Sequence, residues 1–231
     1  NGMLEVRLTT ENEDYWEAKY IVDDALDKWN NGKAKELTDE QRMIVSCVSP
    51  STRMDMYWAK KYYNKGCLLQ SLPYFKRILY KIKLQKSTPD SELRDLYNEM
   101  NFYIGFIYMD LKMYETAYHY LHIAQRGSSI PAIEEFINCL CNVRDWDALA
   151  YIRDIYERAL NSLKEAGDEA DDALIYIYQF AKRRLVYRLI VNDDLEEAEL
   201  MLKEMIDNGE DAGFAKMELE YIKKLRGEEN K

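Results

Sequence analysis

Glycine and proline are scarce in this sequence, with nine glycines and four prolines among 231 residues. Because these two residues interrupt helices and shape tight turns, their scarcity argues against a β fold with many turns and favours long helices. Apolar residues make up 47% of the chain, which is enough material for a sizeable core. The length allows one solenoid-like domain or two small domains.

Long apolar stretches are also missing. The longest, such as residues 173–178, are far shorter than the roughly 20 residues that a helix needs to cross a bilayer, so we expect no membrane span. The first residues lack the basic start, apolar middle and small-residue cleavage site of a secretory leader. These absences favour a cytoplasmic protein, while residues 1–3 also resemble a tag remnant or the edge of a fragment.

An excess of basic charge is missing as well. The net charge of −10 at pH 7 argues against general binding of nucleic acid, which needs a basic surface to displace counterions. The chain has no glycine-rich phosphate loop, and no serine or cysteine stands in a nucleophile signature. We therefore expect a non-enzymatic protein with no catalytic residues, no cofactor and no specific nucleic-acid partner.

Cysteine and histidine are too sparse for a disulfide framework or a convincing metal site. We expect the cysteines to be buried, reduced thiols, since free cysteine prefers protein interiors. They are Cys47, Cys67, Cys139 and Cys141. His119 and His122 lie three residues apart on one predicted helix, but no third ligand is evident nearby, so we expect no metal to bind there.

Two apolar, helix-periodic segments of about a dozen residues lie within residues 98–131 and are joined by a polar break at residues 110–112. Small and bulky residues recur in them at fixed spacing: Gly105 and Tyr108, then Ala117, Leu121 and Ala124, then Pro131. This spacing resembles the tetratricopeptide (TPR) repeat, which packs two antiparallel helices through small residues. The chain departs from that pattern where Asn101 replaces the opening aromatic residue and where the proline falls about two positions late.

Weaker units with the same pattern surround the clear one, so the resemblance covers residues 52–208. Their matching positions include Ala59, Tyr62, Ser71, Phe75, Ile78, Ala148, Ile152, Leu185, Leu189, Ala198 and Leu202. Residues 1–50 carry helices without the pattern, and residues 211–227 form an amphipathic helix whose charged face suits a terminal cap. The resemblance implies one all-α domain over residues 1–231, with about eleven helices in antiparallel pairs stacked as a short right-handed superhelix.

Local signals predict where several helices begin and end. Residues 30–32 and 208–209, which contain Gly32 and Gly209, are predicted to end helices, and residues 87–90 are predicted to start one. A capping box at Thr10 predicts an irregular lead over residues 1–10, and a second box at Thr38 opens another helix. Residues 49–50 (Ser-Pro) are interpreted as the end of that helix, and the next is expected over residues 55–64. Pro73 has no amide hydrogen, which predicts that its helix begins no earlier than about Leu69. Gly105 and Ala117 are expected to face each other between their helices.

In the TPR family, ligands usually lie in a concave groove lined by the first helix of each pair. Applied to this chain, the resemblance implies a peptide-binding groove whose walls are aromatic and cationic. The residues placed there are Tyr57, Lys60, Tyr63, Phe102, Tyr103, Phe106, Arg183, Arg184 and Tyr187, with Met56 and Met109 beside them. The set lacks the asparagine of the carboxylate clamp used by chaperone-binding TPR domains, since Lys60 stands at that position.

Residues 56–89 contain no acidic residue but eight basic ones, interleaved with aromatic residues. Two interpretations remain open for this segment. In the first, the aromatic faces are core and the cations pair with acidic neighbours on other helices. In the second, the segment forms a surface for an acidic peptide or another polyanion.

The favoured function is therefore a protein–protein interaction module that binds a protein or peptide segment, for which an acidic segment is one option. The first alternative is a helical regulatory or sensor domain of a larger signalling or transcription-control protein. An enzyme with ligands scattered along the chain is the least favoured alternative. Homodimerisation through an aromatic face is a further option that the sequence leaves open.

Overall fold

The computed structural model describes residues 2–47, 49–84, 91–144 and 147–227, and within these ranges it leaves the side chains of residues 2–15, 50, 91 and 92 undescribed. Over the described residues the chain forms eleven α-helices and no β-strand, which confirms the predicted all-α class. The helices are α1 (Gly2–Asn30), α2 (Asp39–Ser46), α3 (Pro50–Asn64), α4 (Leu68–Lys83), α5 (Ser91–Asp110), α6 (Tyr114–Ala124), α7 (Ile130–Asn142), α8 (Ala148–Ala166), α9 (Asp172–Val191), α10 (Leu195–Asp207) and α11 (Ala212–Leu225).

The helices group into two compact units, residues 1–128 and residues 129–231. In the first unit α1 and α2 pack against α3, and α3, α4, α5 and α6 then pack each against the next. In the second unit α7 and α8 both pack against α9, α9 packs against α10, and α10 packs against α11. The expected single domain and its superhelical arrangement stay predictions.

Several helices begin or end where the capping signals in the sequence predict. The Thr38 hydroxyl accepts a hydrogen bond from the Gln41 amide at 3.1 Å, and the Gln41 side chain accepts one from the Thr38 amide at 3.2 Å, so the predicted capping box is confirmed. Gly32 and Gly209 follow α1 and α10 with φ values of 72° and 71°. Such left-handed backbone is readily adopted by glycine, which explains why both helices end there.

The irregular lead expected over residues 1–10 is wrong, because α1 begins at Gly2 and runs through Thr10 as a helix of 29 residues. Between Met3 and Asn30 the sequence contains neither glycine nor proline, so nothing interrupts the helix. The capping pattern at Thr10 therefore lies inside a helix rather than at its start.

Serine and proline at residues 49–50 open α3, rather than only ending the helix before it. The Ser49 hydroxyl accepts a hydrogen bond from the Thr52 amide at 3.2 Å, and Pro50 occupies the first turn, where its missing amide hydrogen costs nothing. As a result α3 starts five residues earlier than the expected Asp55. The pair was misread because proline both follows helices and begins them.

Pro73 lies inside α4, which begins at Leu68, within one residue of the start expected at about Leu69. The proline cannot donate to the carbonyl of Leu69 four residues before it. Leu69 lies in the first turn of α4, and the residue is exposed.

The close approach of α5 and α6 is centred on Gly105 and Leu121. A β-carbon built on Gly105 would lie 2.6 Å from Cγ and 2.7 Å from Cδ2 of Leu121, so Leu121 makes the closest approach, and the expected pairing of Gly105 with Ala117 stays a prediction. Ala117, Leu121 and Ala124 are all buried, as the spacing predicted. The small residue at position 105 therefore makes room for the leucine of the second helix.

The predicted terminal helix is α11, which buries Ala215 and Ile222. Its remaining apolar residues were expected to face inward, but Met217, Tyr221 and Leu225 are exposed. The reason is that α10 is the helix against which α11 packs, and one neighbour covers only one side. Within the described parts of the chain, no helix combines the length and the apolar character that crossing a bilayer requires.

Candidate peptide-binding surface

Side chains of α3 and α5 meet around Lys60. The Lys60 ammonium donates a hydrogen bond to the Tyr103 hydroxyl at 2.8 Å and lies 4.5 Å from the centre of the Tyr103 ring and 5.4 Å from that of Tyr63. The Tyr63 and Tyr103 rings meet edge to face with their centres 4.9 Å apart, and Phe75 stacks on Tyr103 at 4.8 Å. The cation thus lies against aromatic rings of two helices, α3 and α5, and Phe75 of α4 supports the second ring.

Two half-buried phenylalanines of α5 extend this cluster. The Phe106 ring lies 6.0 Å from Tyr63 and 6.1 Å from Phe102, one helical turn away. We name Lys60, Tyr63, Phe102, Tyr103 and Phe106 the α3–α5 aromatic surface. All five were predicted from the sequence to line a groove, and the structure brings all five into one contiguous set of contacts.

Burial shapes the titration of this surface. It lowers the pKa of Lys60, although the negative charges of Glu99, Glu40 and Asp39 oppose the change. Burial also raises the pKa of Tyr103 to about 12. At neutral pH the surface therefore carries a partly desolvated cation beside a neutral phenol, so binding a partner there removes less water from the ammonium than at an exposed lysine.

Tyr57 does not belong to this surface. Its side chain is 3% exposed, and Met56 beside it is fully buried, so neither is available to a partner in this structure. The reason is that α1 packs against α3, placing Glu17 close enough to influence the pKa of Tyr57. The TPR pattern contains no such additional helix, so the register alone could not reveal this cover.

The three predicted residues of α9 lie in the second unit and have different surroundings. The Arg183 guanidinium pairs with the Asp211 carboxylate at 3.3 Å, and Arg184 lies 5.2 Å from the centre of the Phe180 ring. Tyr187 is 46% exposed. Of these three side chains, Tyr187 presents the most open face, while both arginines are half-buried against their own unit.

The sequence reasoning missed a buried charge in α9. Lys182 is 1% exposed, and its ammonium donates hydrogen bonds to the Glu210 carboxylate at 2.7 Å and the Tyr178 hydroxyl at 3.0 Å. Burial opposes the charge, but the bonds to Glu210 and Tyr178 outweigh it and raise the pKa of Lys182 to about 12. The sequence did contain a signal for this burial, because Lys182 stands four residues after Tyr178 and close to the core residues Ala181 and Leu185 on the same helix.

The basic segment of α3 and α4 follows the first interpretation at several positions. Asp55, which is almost buried, accepts hydrogen bonds from Arg77 and from Lys81, and Lys61 pairs with Glu17 at 3.3 Å. Lys76 donates to the Tyr108 hydroxyl at 2.6 Å. Most of these cations therefore contact carboxylates or hydroxyls of the same unit, and this reduces their attraction for an acidic partner. The predicted helix start at residues 87–90 lies outside the described residues.

The cysteines and histidines lie apart from the α3–α5 aromatic surface. All four thiols are free, with Cys47 and Cys139 buried as predicted and Cys67 and Cys141 only half-buried. His119 and His122 each lie against a tyrosine ring. Among the described residues, no three histidine, cysteine, aspartate or glutamate side chains converge as metal ligands would.

These contacts define one aromatic and cationic surface in the first unit and a separate exposed tyrosine in the second. Comparison of the chain with models of protein families, with curated proteins and with solved structures finds no match.

Proposed function

We propose that this protein is a non-enzymatic interaction module that binds a peptide or protein segment on the α3–α5 aromatic surface. The observation that carries the proposal is the convergence of Lys60, Tyr63 and Phe106 from two helices on one half-exposed patch. Large aromatic side chains give much contact area for little loss of conformational entropy, and they dominate binding energy at protein interfaces.

The order in which the helices of the first unit pack supports the interpretation that this unit has a TPR-like fold. α3 and α5 are the first members of successive helix pairs, and the hydrogen bond from Lys60 to Tyr103 joins them directly. Gly105 allows α6 to approach α5 closely, as the small residue at this repeat position implies. In a right-handed superhelix of such pairs, α3 and α5 line the concave side, where an extended or helical segment would lie.

Lys60 favours a segment that carries acidic residues, because an ammonium already held among aromatic rings gains a charge-assisted hydrogen bond when a carboxylate reaches it. The same surface offers Phe102 and Phe106 to an apolar side chain of the ligand. We therefore expect the preferred segment to place an acidic residue within a few positions of a bulky apolar one.

Selection of displayed random peptides on the immobilised protein, followed by titration of the enriched peptides by fluorescence anisotropy, tests this function. Phe106→Ala should weaken binding by about tenfold or more, as loss of an aromatic anchor does. Tyr221→Ala is the matched control, because it removes an exposed aromatic side chain of α11 in the other unit. Lys60→Met should reduce affinity only for the acidic peptides.

Equal affinities of the wild type and of a folded Phe106→Ala variant would contradict the proposed surface. Enriched peptides that lose affinity through Tyr221→Ala instead would assign binding to α11. A selection that enriches no peptide would argue against a peptide-binding module altogether. Circular dichroism melts of each variant separate a lost contact from a lost fold.

A further inference from the structure

A cleft of about 440 Å³ opens in the first unit between the end of α1, α2 and the first turns of α5. Its apolar wall consists of Trp29, Met43, Val45 and Leu96. This volume lies in the range of small-molecule sites, which are mostly apolar with a few polar groups. Trp29 is 51% exposed, so one face of its ring is open to a ligand.

Two carboxylates complete the cleft, those of Asp95 and Glu99 on successive turns of α5. Within the part of the chain that the structure describes, the Glu99 carboxylate makes no hydrogen bond and no ion pair, although it is half-buried. The positive charge of Lys60 acts on Glu99, but the Lys60 ammonium donates its hydrogen bond to the Tyr103 hydroxyl. Partial burial without a bonded partner disfavours the charged form of a carboxylate, and burial accordingly raises the pKa of Glu99.

The charges around the cleft favour a positively charged ligand. Among the described residues of the lining, Arg42 is the basic one, and its guanidinium lies 3.6 Å from the Asp39 carboxylate. A ligand carboxylate would therefore meet Asp95 and Glu99 with little compensation. A ligand ammonium would give Glu99 an ion-pair partner and could lie over the electron-rich face of Trp29.

We propose that this cleft binds a small organic amine, in which a protonated ammonium pairs with Glu99 and an apolar or aromatic body packs on Trp29, Met43 and Leu96. This site is distinct from the α3–α5 aromatic surface, since none of its apolar wall residues belongs to that surface. The occupant is a free small molecule with one cationic end and one apolar end.

Tryptamine, tryptophol and indole-3-propionate form a matched probe series, because they share the indole body and differ in carrying an ammonium, a neutral hydroxyl or a carboxylate. Titrations followed through the Trp29 indole signal in ¹⁵N–¹H spectra, assigned with Trp29→Phe, report binding at this cleft. We expect tryptamine to bind with a dissociation constant on the order of 0.1–1 mM, as its size allows. Tryptophol should bind about tenfold more weakly, and indole-3-propionate should not bind measurably.

Glu99→Gln keeps the shape of the side chain and removes its charge, so it should abolish most of the preference for tryptamine over tryptophol. Glu196→Gln, which changes an exposed carboxylate of α10 in the other unit, is the control and should leave that preference intact. Phe106→Ala should also leave tryptamine binding unchanged, which separates this site from the proposed peptide surface.

Three results would overturn the assignment. Equal binding of tryptamine and tryptophol by the wild type would show that no carboxylate of the cleft recognises the ammonium, whatever the variants do. Unchanged selectivity in folded Glu99→Gln would remove Glu99 from the site. No saturable shift of the Trp29 signal at 5 mM tryptamine, a few times the weakest expected dissociation constant, would show that the cleft does not take amines of this class.

Discussion

Replacement of Gly105 by alanine tests the closest helix contact of the first unit. The new β-carbon would lie 2.6 Å and 2.7 Å from two side-chain carbons of Leu121 and 3.3 Å from its backbone nitrogen. Carbon atoms at their best separation lie about 3.5–4.0 Å apart, so the methyl group enters the leucine by about 1 Å. Leu121 is fully buried and cannot turn towards solvent.

Two effects of opposite sign set the magnitude. Alanine is better than glycine inside a helix by roughly 1 kcal/mol, which favours the variant. Overpacking of a filled core costs about 1–3 kcal/mol, and an overlap with two carbons of an enclosed side chain belongs to the upper part of that range. We therefore expect Gly105→Ala to lower the free energy of unfolding by about 1–2 kcal/mol in urea titrations followed by circular dichroism.

Gly213 of α11 provides the matched control, because a β-carbon there would meet no atom within 4 Å. Gly213→Ala should be neutral or stabilising by roughly 0.5 kcal/mol, since only the helix preference remains. In a Leu121→Ala background, Gly105→Ala should lose its cost, because the carbons that it would overlap are gone. A gain of stability in Gly105→Ala equal to that in Gly213→Ala would refute the close contact.

The buried ion pair of the second unit and the thiols give two further predictions. Glu210→Gln should cost about 3 kcal/mol, the lower end of the cost of breaking a buried pair, because the Lys182 ammonium loses its carboxylate partner and keeps the Tyr178 hydroxyl. Lys182→Met leaves a carboxylate that is 28% exposed and should cost less. The pKa of Lys182 is raised from 10.5 to about 12, so the stability that its charge contributes is complete below about pH 10 and is lost as the pH rises through about 12. In urea titrations the difference in free energy of unfolding between wild type and Lys182→Met should therefore shrink over this pH range. A difference that stays constant with pH would contradict the prediction. Burial raises the pKa of Cys47 to about 12 and that of Cys141 to about 11, so iodoacetamide at pH 8 should label Cys67 first. Equal labelling rates by mass spectrometry would contradict this order.

The helices were predictable from the sequence because their signals are local. Apolar periodicity, the Thr38 capping box and glycines such as Gly209 act within one or two turns, and these placed most helix bodies and several ends. Where a signal has two meanings, the prediction from sequence failed: residues 49–50 open a helix as well as follow one.

The exposure of the predicted surface residues followed from the sequence only where the helices pack in the way that the repeat pattern implies. Phe102 and Phe106 remain half-exposed on α5, whereas Tyr57 is buried because α1 packs on α3. The position of an extra helix depends on contacts between residues far apart in sequence, and periodicity carries no information about them. The cleft beside Trp29 was missed for the same reason, since α1, α2 and α5 each supply part of its wall.

Tyr103 connects the two proposed sites physically. Its hydroxyl accepts the hydrogen bond of Lys60 on the peptide surface and lies 4.0 Å from the sulfur of Met43, which lines the cleft. Glu99 stands one turn before it on α5, so an amine that pairs with Glu99 removes a negative charge that acts on Lys60. Lys60 would then attract a ligand carboxylate more strongly, and thermodynamic linkage requires the peptide to favour the amine by the same factor. Positive coupling between tryptamine and an acidic peptide, abolished by Glu99→Gln, is therefore expected if both sites exist, and independent binding would mean that Lys60 does not sense the cleft.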